Sequence, residues 1–371
     1  MRPGGKRTIR QILLESDAAI SVLVVLLGFL CGTLLILCTG RNPLGMYKAL
    51  LQVMTGYNVD TGRWIVRYIG DWLALSMPLI LCGLSMGFAA RTGLFNIGGE
   101  GQYIVGLTVA QIVALLGPQI PYIHWMLAIV LAMLGGAFWG GIVGWLKAKF
   151  EVSEVVATIM LNYIALYLSR IFIMKIPGTN TYQTPLYPET ASLRSAFLDK
   201  LTGTSSFNLG FIFVILALVL YHVIIEKTKL GFELRATGFN KDAARSNGIP
   251  VVKSIILSMA IAGAFAGLAG AIVSLGSLKY GRVLAVNDGY GFTGIAVALV
   301  GNSTAVGTFL AGLLFGLLSS AQSFMEANGI PKEITFIIQG LVVVFIAIRT
   351  GFRIFIRKSM KKNKTKEYQI E

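Results

Sequence analysis

Apolar runs recur along most of this chain, and many exceed about 17 residues, the length that spans a hydrocarbon core at 1.5 Å per residue. Inside hydrocarbon every backbone N–H and C=O needs an internal partner, so such runs fold as helices. They lie at 18–38, 72–90, 101–116, 123–146, 155–174, 209–225, 251–275, 289–300, 306–322 and 334–348. The chain is 55% hydrophobic and only 13% charged, with a mean hydropathy of +0.73. A water-soluble domain could hardly carry that balance without aggregating. The expectation is an all-α polytopic membrane protein, one bundle of about ten transmembrane helices.

The net charge of +15 is distributed in blocks at the ends of apolar runs, which argues against nucleic acid as a partner and for membrane orientation. Arg2, Lys6, Arg7 and Arg10 precede the first span; Arg353, Arg357, Lys358, Lys361, Lys362, Lys364 and Lys366 follow the last. By the positive-inside rule both ends are cytoplasmic and the number of crossings is even. The chain then divides into a basic cytoplasmic N-terminus (1–17), a transmembrane domain (18–349) and a basic cytoplasmic tail (350–371). The tail suits either a solvated stop-transfer anchor, the simpler reading, or a contact with anionic membrane lipid. Lys147, Lys149 and the loop 226–253 fall inside, whereas loops 41–71 and 177–208 fall outside. Arg41, Lys48, Arg63 and Arg67 in the first external loop resist the rule, and 45–54 reads as an amphipathic segment lying at the interface. Cys31, Cys38 and Cys82 all lie within apolar runs and read as small core hydrophobes. No cleavable signal is evident, because the first run is long and lacks a clear small-x-small site.

Polar residues interrupt this pattern at Arg91-Thr-Gly-Leu-Phe-Asn-Ile-Gly-Gly-Glu-Gly-Gln102. Such an interruption survives between membrane helices where it faces protein or a water-filled path. A second Gly-rich junction, 289–312, also separates unusually short apolar runs. Broken segments at matching places in two halves point to an internal repeat with broken helices near a pore. Small residues at helical spacing, Gly135-Gly136, Gly140-Gly141 and Gly144, and Gly263, Ala266-Gly267 and Gly270, predict close helix packing.

Soluble-enzyme chemistry is not written here. The nearest run to a nucleotide-binding loop, Gly301 to Thr308, has no lysine, and His124 and His222 stand alone near span ends. No metal or nucleophile constellation is legible. The cytoplasmic loop does carry a helix signature: Asn240 as N-cap, Asp242 in the first turn, Ala243 and Ala244, Arg245 near the end, and Gly248 as a left-handed stop. A rigid helix with small residues on one face suits docking on a soluble partner, although an ordinary loop helix has the same form.

The stretch 231–249 resembles the coupling loop of ABC importer permeases of the branched-chain amino acid, ribose and nucleoside group, in which an alanine pair precedes Gly-Ile. Gly93-Leu-Phe-Asn-Ile-Gly-Gly-Glu-Gly-Gln102 and Ser153-Glu-Val-Val-Ala-Thr-Ile-Met-Leu-Asn-Tyr163 are similar to motifs of the permeases paired with basic-membrane-protein-type lipoproteins, which import purine and other nucleosides. The resemblance covers nearly all of 72–349, and the N-terminal span and long first external loop resemble the larger of two paired permeases; the tail after Arg353 is outside the pattern. It implies a multi-pass protein of the bacterial plasma membrane, partnered by a cytoplasmic ABC ATPase, a second permease and an external substrate-binding lipoprotein. This chain would hold no cofactor itself, ATP and Mg²⁺ being used by the ATPase. Coupling would fall to Asn240, Lys241, Ala243, Ala244, Arg245 and Gly248.

Individual residues carry two readings each. Asn96 could bond a nucleobase or ribose with Phe95 stacking beside it, or cap a helix end. Glu100 suits a dipole-stabilised position at a helix N-terminus better than contact with a neutral solute, and Gln102 is intermediate. Thr158 and Asn162, one turn apart, could line the path or bond between helices. Ser153 reads as an N-cap with Glu154 in the first turn, and Tyr280, Arg282, Asp288 and Tyr290 as exposed loop residues able to meet the lipoprotein. The cargo implied is a nucleoside such as guanosine; ribose, galactose or branched-chain amino acids are the nearest rivals. From other classes stand an ion-coupled carrier and a membrane enzyme acting on lipid-linked sugars, the latter lacking a carboxylate or histidine cluster.

Overall fold

The structure, a computed structural model, describes residues 17–348; the basic N-terminal residues and the basic tail lie outside the described residues. Helices dominate: α1 (Asp17–Cys38), α2 (Leu44–Thr55), α3 (Arg67–Arg91), α4 (Gly99–Leu116), α5 (Ile123–Phe150), α6 (Glu154–Met174), α7 (Ala196–Thr202), α8 (Gly210–Lys227), α9 (Lys229–Phe239), α10 (Lys241–Ser246), α11 (Val251–Ile272), α12 (Tyr290–Val300), α13 (Ala305–Ala327) and α14 (Glu333–Ala347). Two antiparallel strand pairs complete it, β1 (Tyr57–Asn58) with β2 (Arg63–Trp64), and β3 (Gln183–Leu186) with β4 (Tyr280–Arg282). Among the described residues eight helices are long and apolar enough to cross a membrane, with α12 and α14 as shorter apolar helices. Each expected span therefore coincides with a helix. The amphipathic segment expected at 45–54 folds as α2.

Among the described residues one compact unit takes in 17–47 and 322–348, the other Lys48–Ala321. In the first, α1 and α14 pack antiparallel, a Cβ on Gly28 falling 2.4 Å from Val342 and one on Gly32 falling 2.5 Å from Ile338. The second unit is organised around α3 and α11. Every residue of α3 from Met77 to Ala89 is buried. The two small-residue stripes singled out in the sequence pack on each other: a Cβ on Gly136 would stand 2.3 Å from the Gly263 carbonyl, and one on Gly140 2.3 Å from that of Met259. Backbones meet there without intervening side chains, the contact that small residues permit between apolar helices.

Both polar interruptions break helices. The chain leaves α3 at Arg91, whose guanidinium pairs with Glu226 at the start of the basic loop 226–253. Residues 92–98 are non-helical, and α4 begins at Gly99. The Gly101 amide donates to Asn162, which lies eight residues, about 12 Å, inward from the start of α6. α4 thus starts within the bundle. α12 is only eleven residues, about 16 Å, roughly half of a ~30 Å hydrocarbon core. Cys82 lies against Gly294 and Ser303 against Gly87, so α12 runs parallel to α3. α13 returns antiparallel to α3, with Gly312 against Ile80 and Gly316 against Ser76.

Three expectations need correction. Ser153 makes no side-chain cap; Glu154 instead pairs with Lys147 at 2.7 Å, an ion pair across the α5–α6 turn. Of the residues expected in an exposed loop, Tyr280 is exposed, but β4 pairs with β3, and Arg282, Asp288 and Tyr290 are half-buried or deeper as the chain folds back toward α4. The external cations that resisted the orientation rule are partly neutralised, Lys48 by Asp60 and Arg67 by Asp71.

Candidate functional site

The break at 92–98 is held by side-chain amides. Asn96 donates through Nδ2 to Gln102 Oε1 (2.9 Å) and Ser85 Oγ (3.1 Å), while its Oδ1 accepts from Gln102 Nε2 and the Gly98 amide, both at 3.1 Å. Asn162 reaches across from α6, accepting from the Gly101 amide at 2.8 Å and donating to the Ile97 carbonyl at 3.1 Å. Extended backbone in an apolar bundle needs such partners, and Asn and Gln supply donor and acceptor together. Thr158 bonds back to the Glu154 and Val155 carbonyls of its own helix.

Glu100, fully buried, lies in the first turn of α4 and accepts from the Gly289 amide (2.7 Å) and the Gly291 amide (2.6 Å) at the start of α12. One carboxylate therefore satisfies orphan N–H groups of a second helix while sitting at the positive end of its own. A Cβ on Gly291 would fall 2.1 Å from the Glu100 amide nitrogen, so the two N-termini meet backbone to backbone. One turn outward, the Tyr103 hydroxyl donates to Asp288 (2.8 Å), which also accepts from Arg282 (2.5 Å). Tyr290 packs edge-on against Tyr103.

Of the six path candidates, Asn96, Glu100, Gln102, Thr158 and Asn162 are thus buried and engaged within the chain, and Phe95 alone is exposed, at 38%. The structure brings Asn96, Gln102 and Asn162 together around the break and joins Glu100 to α12. Sequence reasoning did not find Ser85, Tyr103 or the Gly289 and Gly291 amides as partners. The Gly-rich composition of both junctions was the only available sign.

α9 and α10 form a bent pair in the loop 226–253. Asn240 caps α10, its Oδ1 accepting from the Asp242 and Ala243 amides at 3.0 Å. Gly248 ends it with φ +78°. Lys241, Ala243 and Arg245 are exposed, whereas Ala244 faces its own chain. Phe232 and Phe239 are 61% and 91% exposed beside a groove edged by Ala243 and Asn247. This pair touches the break directly: Gly93 has φ +74°, and a Cβ on it would stand 2.7 Å from Gly238. Glu226 also links the two regions, pairing with Arg91 and with Arg235.

Residues 68–347 match the family described as branched-chain amino acid transport system / permease component. The chain is 41% identical to the guanosine ABC transporter permease protein NupP of Bacillus subtilis, over 94% of this chain and 98% of that protein. It is 37% identical to the nucleoside ABC transporter permease protein NupB of Lactococcus lactis, covering 92% and 93%. Against the glucose ABC transporter permease protein TsgB13 of Haloferax volcanii the identity is 32%, covering 90% and 87%. No solved structure matches.

Proposed function

We propose a cargo and a coupling route for a chain that belongs to the branched-chain amino acid transport system / permease component family and is the multi-pass membrane subunit, not the enzyme, of an ABC transporter. The cargo is a nucleoside, with purine nucleosides such as guanosine foremost. The observation that carries this reading is the 41% identity to a guanosine permease along nearly the whole of both chains. Electrostatics agrees: Glu100 is held by two backbone amides and Asp288 by Arg282 and Tyr103, so neither carboxylate is left free to meet an ionic solute. A charged cargo would need a fixed counter-charge at membrane depth.

An ABC ATPase, using ATP and Mg²⁺, would dock on the exposed face of α9–α10, with Phe232, Phe239 and Ala243 at the contact. Its movement reaches the break through the backbone contact of Gly238 with Gly93 and through Glu226 on Arg91. Displacing 92–98 shifts the N-terminus of α4, and the Glu100 link carries that shift to α12. A second permease completes the pore and an external lipoprotein delivers solute.

Uptake of labelled guanosine in cells with and without this gene tests the cargo, with unlabelled nucleosides, ribose, glucose or leucine in excess. Gene-dependent uptake blocked only by nucleosides is expected; block by glucose would move the cargo to the sugars, a reading the TsgB13 similarity supports.

A further inference from the structure

Beyond the break, the external end of α4 carries a polar group with no use in the fold. Gln111, two turns outward from Tyr103, is fully buried, and neither its Oε1 nor its Nε2 has a hydrogen-bond partner among the described residues. A buried carboxamide offering two donors and an acceptor to nothing is rare in a native protein. Its oxygen lies against β4, 2.9 Å from where a Gly281 Cβ would stand. The neighbouring Thr184 hydroxyl is spent, accepting from the Gly281 amide (2.7 Å) and donating to the Pro185 carbonyl (2.9 Å). Further unpartnered buried atoms belong to the same external segment: Arg282 Nε and Asn287 Oδ1. The positive charge of Arg282 is already balanced by Asp288.

We propose that Gln111 forms an outer solute subsite beneath β4 that takes an uncharged, hydrogen-bonding solute. The donors and acceptors without net charge match a ribose diol or a nucleobase edge, which a carboxamide can engage through two bonds. Naming a nucleoside rests on the proposed cargo. The subsite is closed in this conformation, and β4 must lift from Gln111 for solute to enter from the lipoprotein side.

The test uses the whole transporter, with lipoprotein and ATPase. Gln111→Met keeps the side-chain volume and removes the hydrogen bonding. The KM for guanosine uptake is expected to rise about fivefold, the worth of one such bond, with the amount of assembled complex and its thermal midpoint unchanged or raised. Wild-type uptake in that variant would overturn the subsite and leave Gln111 as a group solvated by buried water. If Gln111→Met does not accumulate, Gln111→Leu carries the same expectation and the same refutation. Should the wild-type complex carry glucose and not guanosine, the cargo reading alone fails, and both variants are then scored on glucose uptake.

Discussion

Replacing Glu100 separates a structural link from a solute contact. Its carboxylate receives two buried amides, Gly289 at 2.7 Å and Gly291 at 2.6 Å. Glu100→Ala leaves both donors without a partner, and each buried unsatisfied group costs about 1–3 kcal/mol, so the loss is about 2–6 kcal/mol. The favourable charge at two helix N-termini is lost as well, about 0.3–1 kcal/mol for each. Glu100→Gln keeps one acceptor oxygen and should forfeit about half. Thermal unfolding of the detergent-solubilised complex should therefore rank wild type above Gln and Gln above Ala, with uptake falling in the same order. A Gln variant as stable as wild type but inactive would refute the link and make the carboxylate a solute ligand. Equal stability of all three would show that α12 needs no anchor at Gly289 and Gly291.

Gly93→Ala meets a left-handed φ of +74° and the Gly238 backbone; it should cost about 1–2 kcal/mol or more and lower uptake per ATP hydrolysed, whereas normal coupling would remove the Gly93–Gly238 contact from the route. Asn96→Ala removes one partner each from Ser85, Gln102 and the Gly98 amide; assembled complex should persist with weakened uptake, and wild-type kinetics would confine Asn96 to a local capping role. Ala243→Asp, on the exposed face of α10, should abolish solute-stimulated ATP hydrolysis while the permease stays in the membrane; unaltered stimulation would move docking elsewhere. Ala244→Asp places a carboxylate inside the chain's own packing instead, so a fall in assembled permease is the expected readout.

Much of the architecture was legible because lipid leaves a backbone few choices. A run of sufficient length and apolarity must be a helix, and each of the expected spans coincides with one. The Gly136 and Gly263 stripes declared close packing by size alone. Asn240 and Gly248 declared the ends of α10 because capping and left-handed termination depend on neighbours a few residues away. These are local or solvent-imposed properties, and one chain suffices to read them.

Tertiary structure decided the rest, because the partners are remote in sequence. Nothing near Glu100 announces that its acceptors serve amides 189 and 191 residues away. Ser153 has the chemistry of a cap, yet Lys147 from the preceding helix takes Glu154 instead. The stretch 280–290 has the composition of an external loop, yet Asp288 and Gly289 turn inward because Tyr103 and Glu100 provide their polar partners, and β4 pairs with the β3 edge. Hydropathy read along the chain marks which segments are apolar helices and where they break, since hydropathy and backbone satisfaction act segment by segment. Only the folded chain determined that two broken helices meet N-terminus to N-terminus across one buried carboxylate, since that contact depends on packing that brings distant residues together.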